Sequence, residues 1–79
     1  MDKASFLEKF KDQFIDAEDI TVEAETPFRE IGSFDSLTGM AIIVMIKDDY
    51  DVEVSEKEFK SCRTAGDLYE LVKAKSAKV

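Results

Sequence analysis

Seven consecutive apolar residues, Met40 to Ile46, constrain this chain more than any other feature in it. The pair Asp35-Ser36 stands just ahead of the run, and Lys47-Asp48-Asp49 closes it. Seven residues fall far short of the roughly 20 that cross a bilayer, so the run must be buried by other parts of a protein. A strand competes for Ile42-Ile43-Val44, but the run continues without alternation and charges follow on a helical period. The reading is a helix from Ser36 to Tyr50, with Asp35 as N-cap, its carboxylate accepting a free backbone N–H at the positive end of the dipole. Ile42, Ile43, Ile46 and Tyr50 then share a core face. Leu37, Met40 or Ala41, Val44 and Lys47 fall on another face at three-to-four spacing. A surface helix needs one apolar stripe, so the second one reads as a docking surface.

The other segments read as partners for that helix. Phe6, Leu7, Phe10 and Phe14 lie at spacings of one, three and four, which places a first helix at Lys3 to Ile15. Asp2 or Ser5 can cap it, and Ser5 with Glu8 fits a capping box. Periodicity vanishes from Asp16 to Ser33, a long connection that holds the only proline, Pro27. Ile20, Val22, Phe28 and Ile31 recur in it, as in a loop pinned across helices, with a short turn at Phe28 to Ile31. Asp51 to Val54 reads as an extended link. Ser55 and Glu58 form a capping box that opens a short helix, Glu56 to Ser61, contributing Phe59. Thr64 and Asp67 repeat that signal more weakly before a last helix, Ala65 to Lys75, with Leu68, Tyr69, Leu71 and Val72 facing in. Lys73, Lys75 and Lys78 suit its negative end. The expectation is an all-α fold: one domain, 1–79, of three main helices and a short one around a small core, with stability on the order of 5 kcal/mol.

Composition removes several function classes. The chain has 18 acids, 11 bases and a formal net charge of −7, which argues against nucleic acid and favours partners with basic docking surfaces. Histidine is absent, so a Ser-His hydrolase is excluded. Cys62 is the single cysteine, and a reducing, cytoplasmic location for a monomer is the simplest expectation. No charged-then-apolar leader is visible, so neither secretion nor membrane insertion is expected.

Three places could carry chemistry. Asp49, Asp51 and Glu53 alternate as in a calcium loop, but Val54 stands where glycine is needed and Lys60 where the closing glutamate belongs. Cys62 has no histidine to activate it and reads as a small, semi-buried apolar residue. Ser36, by position alone, is a capping residue. What raises it is its place at the start of a helix with a spare apolar stripe, where free N–H groups and the dipole favour a phosphate.

Asp35-Ser36-Leu37, opening a hydrophobic helix after a long first loop in an acidic chain of 79 residues, resembles the acyl carrier proteins. The resemblance spans nearly the whole chain. It implies that Ser36 carries 4′-phosphopantetheine, delivered from coenzyme A by a magnesium-dependent phosphopantetheinyl transferase that reads Asp35. The thiol of that arm would hold acyl groups as thioesters, and the bundle could shelter them between its apolar faces. Leu37, Met40, Ala41, Val44, Lys47 and Asp48 would meet acyl-transferring and synthase enzymes with basic or apolar docking surfaces. The protein itself would not be an enzyme.

The chain departs from the family pattern where partners would read it. Members serving fatty-acid biosynthesis carry several acids along this helix, whereas here Thr38, Gly39, Met40 and Ala41 stand there, and Lys47 precedes Asp48 and Asp49. Gly39 costs the helix about 0.5–1 kcal/mol relative to alanine. Phe34 stands where a small residue is common, and Gly32 is displaced by a position. These changes leave the carrier role intact. They point to a specialised carrier for one dedicated pathway, whether fatty-acid, polyketide or another acyl transfer, at least as much as to the housekeeping fatty-acid carrier of general lipid metabolism. A peptidyl carrier is disfavoured, because that subfamily rarely places Asp before the serine. The rival function is a helical interaction module that binds partners through the same helix without modification.

Overall fold

The computed structural model describes residues 2–76. Four helices follow one another: α1 Lys3–Lys11, α2 Ser36–Tyr50, α3 Glu56–Ser61 and α4 Ala65–Ser76. Short 3-10 turns at Ala17–Asp19 and Phe28–Glu30 interrupt the long first connection. No strand occurs among the described residues, and one isolated antiparallel bridge joins Pro27 to Thr64. The fold is the expected all-α one.

The core is built from one stripe of each long helix. Phe6 and Phe10 of α1, Ile42 and Ile46 of α2, and Leu68 and Val72 of α4 are fully buried, together with Phe28 from the loop. Burying each such side chain contributes about 1.5–3 kcal/mol over leaving it in water. Helix α1 packs on α2 and α4, and α2 packs on α4. Met45 of α2 is also buried, while Ile43, Tyr50 and Leu71 are half-buried against this centre.

Helix α1 is shorter than its apolar spacing suggests. It stops at Lys11, and the chain tightens so that Gln13 N–H donates to Phe10 and Phe14 N–H to Lys11 across three residues. That tail keeps Phe14 buried but leaves Ile15 94% exposed, so Ile15 is not part of a helix. Its start also differs. Asp2 is the cap, accepting from both the backbone N–H and the hydroxyl of Ser5, so Ser5 lies inside the helix and forms no box with Glu8.

The long connection is pinned, as its scattered apolar residues suggest. Ile20, Val22 and Ile31 pack on the core, and the Phe28–Glu30 turn places Phe28 in its centre. The loop is also tied to the start of α4, where Ala65 N–H donates to the Thr26 carbonyl at 3.2 Å and Gly66 N–H to that of Ala24 at 2.7 Å. A Cβ at position 66 would stand 2.7 Å from the Ala24 oxygen, so this close approach requires glycine.

Helices α3 and α4 begin as expected. Ser55 and Glu58 form a reciprocal capping box, and Asp67 accepts from Arg63 and Thr64 N–H while the Thr64 hydroxyl accepts from Asp67 N–H. Helix α4 runs one residue past Lys75; Lys78 lies outside the described residues. The link before α3 is not extended throughout. Asp51 is left-handed, with φ 54, and its N–H donates to Lys47 to close α2.

Candidate functional site

Asp35 sets the geometry at the mouth of α2. Its backbone is extended, and its Oδ1 accepts from Thr38 N–H at 2.8 Å and from the Thr38 hydroxyl at 2.9 Å. These two bonds hold its carboxyl below the ordinary carboxylate range, the backbone bond first. The cap is therefore supplied by Asp35, and Thr38 is buried beneath it. Ser36, the first helical residue, is exposed, and no hydrogen bond among the described residues engages its hydroxyl. A capping serine would use its oxygen on the helix; this one does not.

The outward face of α2 is apolar. Leu37 is 76% exposed, Met40 61% and Val44 54%, whereas Ala41 is half-buried. Lys47 and Asp48 are exposed at the end of this face. Lys47 makes ion pairs of 3.5 Å with Asp51 and Glu53, whose charges hold its ammonium above the usual lysine range, Glu53 more strongly. From Ser36 to Lys47 the helix carries no acid at all.

A cleft of about 290 Å³ opens between α2 and α3 beside Ser36. Gly39 and the rings of Phe34 and Phe59 form its base, with Met40 and Ile43 along the α2 side. Arg29, Glu56 and Lys60 edge it, two cations and one acid in a chain of net charge −7. A second cleft, of about 320 Å³, continues along α2 between Ile43, Val44 and Lys47 on one side and Glu53 and Val54 on the other. Ile43 lines both.

Sequence reasoning missed part of this surface. Gly39 reads from the sequence as a helix cost; in the structure it is buried, and a Cβ there would touch Phe59 at 3.4 Å and Phe34 at 3.5 Å. The missing side chain leaves the rings of Phe34 and Phe59 bare at the base of the cleft. Phe34 and Phe59 stack at 6.4 Å with their planes 21° apart, and Arg29 donates to the α3 carbonyl of Phe59 at 2.7 Å and to that of Cys62. Nothing local in the sequence links Arg29 to a segment thirty residues on.

Two other candidates resolve simply. Among the described residues no group of acids, cysteine or histidine could hold a metal ion, so Asp49, Asp51 and Glu53 do not converge. Cys62 is buried, its thiol directed to the Glu58 carbonyl at 3.5 Å, and burial pushes its pKa up. No helix among the described residues is long and apolar enough to cross a membrane.

The arrangement suits a phosphodiester-linked arm on its own chemistry: a free, exposed hydroxyl, the N-terminus of a fifteen-residue helix, and cations at the edge of an adjoining apolar cleft. No solved structure matches the chain. The family described as the phosphopantetheine attachment site matches residues 8–72, a span that takes in the whole of α2 and α3 and parts of α1 and α4. Members carry covalently bound 4′-phosphopantetheine, work with phosphopantetheinyl transferases and acyl-handling enzymes, and catalyse nothing themselves. The chain belongs to that family, and is a carrier of the acyl carrier protein type rather than an enzyme.

Proposed function

We propose that Ser36 is the attachment point of 4′-phosphopantetheine, and that the protein serves a dedicated acyl-transfer or polyketide-like pathway rather than general fatty-acid synthesis. The observation that carries the first part is the division of labour at the start of α2. Asp35 caps the helix through Thr38, and the exposed Ser36 hydroxyl beside it is left free for modification. When bound, the arm supplies a thiol on which acyl groups travel as thioesters. Asp35, held ionised by its two Thr38 bonds, stands next to that hydroxyl as the feature a transferase reads.

The second part rests on the outward face. Leu37, Met40, Ala41 and Val44, ending at Lys47 and Asp48, offer apolar area without a row of acids. Partners that dock there meet a surface suited to apolar complementarity more than to basic patches, so their affinity should depend weakly on salt. The protein acts as a cytoplasmic, monomeric shuttle, one domain across 1–79.

Incubation with coenzyme A and a broad-specificity phosphopantetheinyl transferase tests the attachment. Intact mass should rise by one phosphopantetheine on the native chain and remain unchanged on Ser36→Ala. No gain on the native chain, or an equal gain on the variant, would leave an unmodified interaction module as the better reading.

A further inference from the structure

We propose that the cleft beside Ser36 is locked at a small size, that it restricts this carrier to short acyl groups, and that Arg29 is the positioning residue that sets the limit. This rests on Ser36 carrying the arm. An apolar cavity of roughly 150 Å³ takes up benzene, six carbons. A cleft of about 290 Å³ therefore has room for on the order of ten carbon atoms. Its base is closed by aromatic rings, because Phe28, fully buried, lies 5.5 Å from Phe34 and 5.3 Å from Phe59 between ring centroids. A longer chain goes deeper only if α3 moves away from α2 or the rings part; one that crosses Ile43 into the second cleft lies against exposed Val44 and Lys47, where water reaches it.

The structure opposes both movements at one residue. The Arg29 guanidinium donates to the carbonyls of Phe59 and Cys62 at the end of α3, the first of which also accepts from Cys62 N–H. The same group lies 4.8 Å from the centre of the Phe28 ring and 5.3 Å from that of Phe59. Swinging α3 outward would break both charge-assisted bonds and the contact with the Phe59 ring together. The other end of α3 is fastened to α4 by Glu58 and Lys75 at 2.8 Å. Arg29 has no carboxylate within ion-pair distance among the described residues, so its charge is directed wholly at this junction.

The test loads Ser36 from coenzyme A thioesters of four, eight, twelve and sixteen carbons. The half-life of each thioester toward hydroxylamine is then compared with that of the same acyl group on free pantetheine. A sheltered thioester is protected because water and nucleophile are excluded. Protection should rise from four to eight carbons and level off at twelve and sixteen. In Arg29→Gln the rise should continue to sixteen, and Arg29→Lys, which can reach one carbonyl at a time, should fall between. If circular dichroism shows that Arg29→Gln does not fold, Phe34→Ala, which opens the base, should extend protection to twelve carbons. The limit is overturned if the native chain protects sixteen carbons about threefold or more beyond eight. A folded Arg29→Gln with the native profile overturns the role of Arg29. Failure to load at all would sink the attachment at Ser36 itself, which the intact mass reports separately.

Discussion

Helices α2 and α3 both open on a side-chain cap, yet they leave different chemistry behind. At α3 both members of the capping box are engaged: the Ser55 hydroxyl accepts from Glu58 N–H, and the Glu58 carboxylate accepts from Ser55 N–H and from the Lys75 ammonium. At α2 the cap residue stands one place earlier, and the serine that follows it is released from structural duty. A serine at a helix start is thus a cap or a handle according to its neighbour. Here an acid immediately before Ser36 takes the cap and leaves free the hydroxyl that we propose is modified.

The difference can be broken most forcefully at Asp35. Asp35→Ala removes the cap and strands the buried Thr38 hydroxyl, so the melting temperature should fall by on the order of 5–10 °C in a chain of this size. Ser55→Ala removes the equivalent oxygen at α3 and should cost about 1 kcal/mol, measured by urea denaturation, without touching modification of Ser36. An Asp35→Ala chain as stable as the native one would dissolve the contrast.

Glu58 sharpens it next. The Lys75 ammonium, and then the Ser55 N–H, hold its carboxyl at about 2 against an ordinary 4.5. A depressed carboxylate stabilises the fold fully above its unfolded pKa and loses that contribution as pH falls through the folded one. Glu58→Gln should therefore melt a few degrees below the native chain at neutral pH, the gap shrinking below 4.5 and closing near 2. Because the pair is partly exposed, salt should narrow the same gap. A gap that ignores pH would show that the amide hydrogen bonds matter and the charge does not.

The smallest effect belongs to the proposed handle, Ser36. Ser36→Ala should change stability by less than about 0.5 kcal/mol, since no partner of its hydroxyl is lost. A larger loss by thermal melting would return Ser36 to a structural role.

Where a signal is local, the chain displays it openly. The bounds of α2 and α3 follow from Asp35, from the Ser55–Glu58 box and from the apolar run, because each lies within a turn of what it controls. The end of α1 is less legible: Phe14 keeps its inward place through a tighter winding that apolar spacing cannot distinguish from one more turn of helix. Asp2 and Ser5 compete for the same cap, and the spacing alone does not decide between them. At the site, Asp35, Ser36 and the strip of Leu37, Met40 and Val44 are all visible in order along the chain. The cleft is not, because it depends on Arg29 reaching α3, on Phe34 stacking over Phe59, and on the absence of a side chain at Gly39. Those are long-range meetings, and no spacing rule encodes them.

Cys62 acquires meaning from the company the protein keeps. A carrier that displays its cargo on a thiol is exposed to theft by any other thiolate within reach, its own included. The Cys62 sulfur is buried, points at a carbonyl and is held in the protonated form by its surroundings, so at neutral pH it neither attacks a passing thioester nor pairs with the arm as a disulfide. With its arm unacylated, the protein consequently offers a single fast-reacting sulfur, and alkylating or exchange reagents applied to it will count free arms rather than cysteines.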